Sequence, residues 1–108
     1  MKKALDIDVV MQNAYIASEE FKMLDQIQVD KIVKAVYKAS FAKRVELAKL
    51  AYEETNIGNW EDKTFKNIIA THFVYEDIKN LKTVGVITEE IEKGISEIAT
   101  PLGPILAI

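Results

Sequence analysis

His72 is the single imidazole among 108 residues and the one side chain whose ordinary titration falls near neutrality, which makes it the first candidate for a general base or a ligand. It has no company for either task. The sequence contains no Cys, and no second His supplies the spacing that sets two ligands on one helix face. A packing or hydrogen-bonding role follows for His72. The acidic pairs Asp6/Asp8, Glu53-Glu54, Glu61-Asp62 and Glu89-Glu90 have the residue types of a catalytic dyad or a hard-metal site. Neighbouring residues on a helix point about 100° apart, so these pairs read as solvated faces and helix N-termini. Trp60, Phe65 and Tyr75 have the composition of an aromatic box, yet Trp60 follows Asn59, a capping residue, and reads as a staple or core edge. No glycine spacing matches a phosphate loop, and no Ser sits in a nucleophile elbow. No catalytic, cofactor-binding or metal-binding residue is assigned.

The elements that would position these groups follow from composition and periodicity. The chain carries 14 Lys plus Arg against 17 Asp plus Glu, a net charge of -3, and 49% hydrophobic residues. That is too apolar and too weakly charged for disorder, and the length suits one modest core. An acidic balance without a basic cluster argues against nucleic acid as a partner. No apolar run approaches the roughly 20 residues a bilayer span needs, so no membrane partner and a cytoplasmic location are expected.

Val10, Ala14, Ala17, Phe21 and Leu24 recur at helical spacing and predict a helix from about Asp8 to Met23, behind a basic tip at Lys2 and Lys3. Asp25 with Gln28 resembles a capping box, and Val29, Ile32, Val33 and Val36 carry a second helix to about Ala39. Ser40 is expected to cap a third helix ending near Thr55, with Gly58 as a left-handed stop. Asn59 should cap a fourth, bearing Phe65, Ile68, Ile69, His72, Phe73 and Ile78. Thr83 to Thr88 is β-branched and turns extended; Gly94 permits a reversal, so residues 83–100 read as a hairpin. The final eight residues, Pro101 to Ile108, have no polar side chain. A run ending Ile105-Leu106-Ala107-Ile108 is what a strand buried in a parallel sheet looks like, so the C-terminus reads as a cut edge. The expected fold is mainly α with C-terminal β: about four helices, a hairpin and one apolar strand.

Several separated blocks carry a resemblance. Leu47-Ala48-Lys49-Leu50-Ala51-Tyr52-Glu53-Glu54-Thr55-Asn56-Ile57-Gly58, then Glu61-Asp62-Lys63 and Lys66-Asn67, resemble the N-terminal region of CoA-acylating aldehyde dehydrogenases, above all the aldehyde dehydrogenase half of bifunctional aldehyde-alcohol dehydrogenases. Lys82-Thr83-Val84-Gly85-Val86 and Ile98-Ala99-Thr100-Pro101-Leu102-Gly103 look like that family's next two blocks. A weaker likeness reaches back to Gln28-Val29-Asp30-Lys31-Ile32.

The resemblance implies a partial aldehyde-dehydrogenase-like α/β fold. Residues 1–81 would be the helical part of the N-terminal cofactor domain. Residues 82–100 would be an oligomerisation hairpin with Val84, Val86, Ile95 and Ile98 as contacts, and residues 101–108 the first, truncated strand of the cofactor sheet. Pro104 departs from the apolar residue such a strand calls for, which suits an edge or a strand's beginning. It implies NAD and CoA for the parent enzyme and none held by this chain, which lacks the catalytic Cys and is expected to be inactive alone. A homo-oligomer and the remainder of the dehydrogenase are the implied partners. Two other readings stay open: a standalone helical module that docks onto a full-length dehydrogenase, and a first helix that addresses the chain to a protein compartment.

Overall fold

The computed structural model describes residues 4–108; the basic tip at Lys2 and Lys3 lies outside the described residues. The described chain is mostly helical with a two-stranded antiparallel sheet near its C-terminal end. It divides into two compact units, residues 4–26 with 82–108, and residues 27–81.

In the first unit, α1 spans Ile7–Phe21. Asp6 caps it, its Oδ1 accepting the amides of Asp8 at 3.1 Å and Val9 at 3.4 Å, which satisfies two of the donors every helix leaves open at its start. Its more sheltered residues are Ala14, Ser18 and Phe21, while Val10 and Ala17 of the expected stripe are exposed. The stripe is therefore rotated toward Ser18. Strand β1, Gly85–Glu90, pairs antiparallel with β2, Ile95–Ala99. A 3₁₀ turn over Ile91–Lys93 joins them, and Gly94 adopts φ 65°, a conformation that costs any residue with a Cβ. The register shifts between Val86 and Thr88, so the hairpin is bulged there. Gln26 ties down the approach to β1: its Oε1 accepts the amides of Thr83 at 2.7 Å and Val84 at 3.1 Å, and its Nε2 donates to the Thr83 hydroxyl at 2.9 Å.

The expected apolar strand is not formed. Residues 100–108 belong to no strand, because a strand exists only through a ladder partner and the two strands present pair with each other. Leu102 and Leu106 are 90% and 86% exposed.

The second unit holds α2, Gln26–Ala42, whose first residue belongs to the other unit, then α3, Arg44–Thr55, and α4, Trp60–Ile68. A π-helical turn over Ile69–Phe73 leads into α5, Val74–Ile78. Ser40 does not cap α3 as expected. It lies inside α2, which continues to Ala42 because nothing between Ala39 and Lys43 breaks a helix. The Lys43 amide then bonds the carbonyls of Ala39 and Ser40, both at 3.2 Å, and Lys43 starts α3 without a side-chain cap. At the other end Asn56, at φ 52°, is the left-handed cap, with Gly58 also positive at φ 70° two residues later. Asn tolerates this region better than other residues with a Cβ. Val29 and Ala48 are the buried apolar residues, and Val33, Tyr37 and Phe41 extend the sheltered stripe of α2 at four-residue steps. Asn67 of α4 reaches the Arg44 carbonyl of α3 at 2.9 Å, and Lys49 of α3 lies 4.7 Å from the Trp60 ring centroid.

Candidate functional site

His72 is where the second unit concentrates polar and aromatic groups. Tyr37, on the sheltered stripe of α2, places its hydroxyl 2.8 Å from His72 Nδ1. Both residues are half-buried, so the bond is only partly open to competition from water. Tyr75, one helical turn beyond His72, stacks on Tyr37 with ring centroids 4.4 Å apart and planes 7° from parallel. Phe41, one turn along α2 from Tyr37, tilts against both Tyr37 and His72 at 6.0 Å. Phe73 meets the imidazole edge-on at 5.4 Å. The Arg44 guanidinium lies over the Phe41 ring, 4.3 Å from its centroid, and its Nη1 donates to the Phe41 carbonyl at 3.0 Å. Thus the imidazole expected to pack or hydrogen-bond does both.

Beside this cluster runs a small apolar groove of about 150 Å³, bordered by Val33, Val36, Tyr37, Val74, Tyr75 and Ile78. A more open depression of about 350 Å³ is bordered by Lys31, Lys34, Lys79 and Asp30. Lys79 is engaged by Glu76 at 2.5 Å. That hydrogen bond holds the Glu76 carboxyl below its ordinary range, opposed by partial desolvation and reinforced by the charges of Lys79 and His72. The same bond raises the Lys79 ammonium. On α1, the hydrogen bond and charge of Glu19 raise Lys22 in the same way.

In three of the four acidic pairs one carboxylate has a structural partner. Asp6 caps α1. Asp62 receives the Asn59 side-chain amide at 2.9 Å while its own amide donates to Asn59 Oδ1 at 2.8 Å. Glu90 pairs with Lys93 at 2.6 Å. Among the described residues no three His, Asp or Glu side chains come together in a way that would hold a metal ion. Trp60, Phe65 and Tyr75 do not form a box: Trp60 receives Lys49, Phe65 is 70% exposed, and Tyr75 lies on Tyr37. Tyr37 and Phe41 are the members of the His72 site that sequence reading did not single out. The one local hint is the four-residue spacing of Tyr37 and Phe41, which puts two rings on one helix face.

Comparison with known proteins accounts for a chain that carries helices, a hairpin and no assembled chemistry. No protein-family model matches it. It is 36% identical over 103 residues to the bifunctional aldehyde-alcohol dehydrogenase AdhE of Escherichia coli K12, a match that covers 95% of this chain and 12% of that protein. It is 35% identical over 107 residues to the acetylating succinate-semialdehyde dehydrogenase of Clostridium kluyveri, covering 99% of this chain and 24% of the relative. Among solved structures, an acetylating aldehyde dehydrogenase from Geobacillus thermoglucosidasius superposes with a TM-score of 0.72 at 37% identity, over 82% of this chain and 22% of the other. The chain therefore spans between about an eighth and a quarter of the length of these relatives. It is homologous to the N-terminal region of the bifunctional aldehyde-alcohol dehydrogenases and the acetylating aldehyde dehydrogenases.

Proposed function

We propose that the chain is the opening portion of an NAD-dependent, CoA-acylating aldehyde dehydrogenase, to which it contributes scaffold and subunit contact rather than reacting groups. The observation that carries this reading is the asymmetry of the match: nearly all of this chain aligns, to a small part of each relative. The whole enzyme would convert acetaldehyde, CoA and NAD to acetyl-CoA and NADH by way of a cysteine thiolate, and this sequence contains no Cys.

The residues present do not fit either cofactor. A groove of about 150 Å³ is smaller than the 300–1,000 Å³ usual for a small-molecule pocket. The lysine-bordered depression is large enough, at about 350 Å³, but has no glycine-rich turn to present backbone amides to a pyrophosphate, and one of its lysines is already paired. No catalytic step is assigned to these residues.

In this reading residues 1–81 brace the cofactor domain, and residues 82–100 reach a partner subunit through Val86, Ile95 and Ile98, which are exposed, and through the half-buried Val84. Residues 101–108 join a sheet built by the remainder of the enzyme. The enzyme would be a homo-oligomer of the cytoplasm; no helix among the described residues is long and apolar enough to cross a membrane.

The test is to sequence the coding region past Ile108 and assay both products. The expected result is an open frame whose longer product forms NADH from acetaldehyde, CoA and NAD, while residues 1–108 form none. NADH production by the 108-residue chain alone would overturn the proposal. A stop codon after Ile108, with the 108-residue product present in cells, would overturn it in favour of a module that docks onto a full-length dehydrogenase.

A further inference from the structure

The helical run from Trp60 to Ile78 changes its winding once, over Ile69–Phe73, where the Val74 amide bonds the Ile69 carbonyl five residues back. Such a turn is wider than an α-helical one and holds an additional residue, and it survives only where side chains compensate for the disturbed ladder. One side chain does so here: the Thr71 hydroxyl donates to the Asn67 carbonyl at 2.6 Å. Tyr37 on α2 also hydrogen-bonds the His72 side chain of this turn at 2.8 Å from outside the helix.

We propose that this turn is a register device, with the Tyr37–His72 hydrogen bond as its clasp and the orientation of α5 as its output. Each residue of helix register is worth about 100° of rotation. With the clasp closed, the wide turn sets Tyr75 flat on Tyr37 and makes both rings part of the border of the apolar groove. With the clasp open, the same residues wind as an ordinary α-helix. α5 then advances by about one position, Val74 moves to the place of Tyr75 against α2, and Tyr75 swings toward the side now held by Glu76. The groove thereby exchanges an aromatic border for an aliphatic one.

Two variants of the 108-residue chain test this. Tyr37→Phe keeps the ring and removes the hydroxyl. With the clasp removed the turn should rewind as an ordinary helix, so the ring-to-ring nuclear Overhauser contact between position 37 and Tyr75 should be lost while helix content by circular dichroism is unchanged. A retained contact would overturn the clasp. The second variant deletes Ala70. In an ordinary helix such a deletion turns everything downstream by about 100° and breaks its packing; in a wide turn it removes the additional residue and heals the ladder. The expected result is a retained ring-to-ring nuclear Overhauser contact between Tyr37 and Tyr75 with undiminished helix signal. Loss of that contact, or of the helix signal, would overturn the register device.

Discussion

Single side chains here do structural work that chain position made partly readable. Asn59 is the clearest case: a capping residue type directly before an aromatic and two acids predicts a helix start, and its Oδ1 receives the Asp62 amide at 2.8 Å. Asn59→Ala should lower stability by about 1 kcal/mol, seen as a reduced urea midpoint, and Asn59→Asp should retain most of it. The Glu76–Lys79 pair gives a pH dependence whose sign is determined. Glu76 is held below its ordinary range, so its contribution is present above the unfolded carboxyl pKa and disappears as pH falls through the folded value. Lys79 is raised, so its contribution is present below the unfolded lysine pKa and disappears as pH rises through the folded one. Glu76→Gln should therefore flatten the acid limb of a urea-midpoint profile and leave variant and parent converging at low pH. The effect should be small, because the pair is exposed and screened by salt. The partner of His72, by contrast, was not legible. Tyr37 lies 35 residues upstream, and no local pattern couples an imidazole to a phenol at that distance.

At the scale of elements, what could be read was what local rules govern. The helix start at Asn59 and the reversal at Gly94 each follow from a residue type at one position, whereas α1 is capped by Asp6, two residues before the expected start, and the left-handed cap of α3 falls at Asn56 rather than at the expected Gly58. The joint between α2 and α3 did not follow in this way: Ser40 is tolerated within a helix although it favours a cap, and the break falls at Lys43, which has no side-chain cap to mark it. The wide turn was equally hidden: Ile69-Ala70-Thr71-His72-Phe73 has ordinary helical periodicity, and nothing in its residue types marks the change of winding. The bulge between Val86 and Thr88 falls in the same class, because strand registers are settled between strands rather than along one. Gly94 supplies the test for this scale. At φ 65° a Cβ costs about 1 kcal/mol, while nothing lies within 4 Å to clash with it. Gly94→Ala should thus weaken the hairpin by backbone strain alone. Faster amide exchange across residues 85–99 with unchanged exchange in α3 would show it.

For the molecule as a whole, the decisive quantity is apolar surface without a cover. Among the described residues Val29 and Ala48 are the buried hydrophobics, and Leu102, Ile105, Leu106 and Ile108 stand exposed in sequence order at the C-terminal end. Helices this short draw most of their stability from tertiary burial rather than from propensity, so surface left open here is stability not yet realised. Residues 100–108 belong to no strand in this chain by itself, for a reason consistent with this. Residue types specify a segment's affinity for a sheet interior, but the ladder has to be provided by other strands, and β1 and β2 pair with one another. Such a segment should recruit copies of itself when the chain is studied alone. Covering an exposed Leu or Ile side chain is worth about 1.5 kcal/mol or more, so replacing two of them removes about 3 kcal/mol, a ~100-fold change in association constant. The 108-residue chain should sediment as a concentration-dependent mixture of species, and Leu106→Asp combined with Ile108→Asp should move the same transition to roughly 100-fold higher concentration. A compact monomer with a two-state melt in the parent chain would show instead that its apolar faces need no partner.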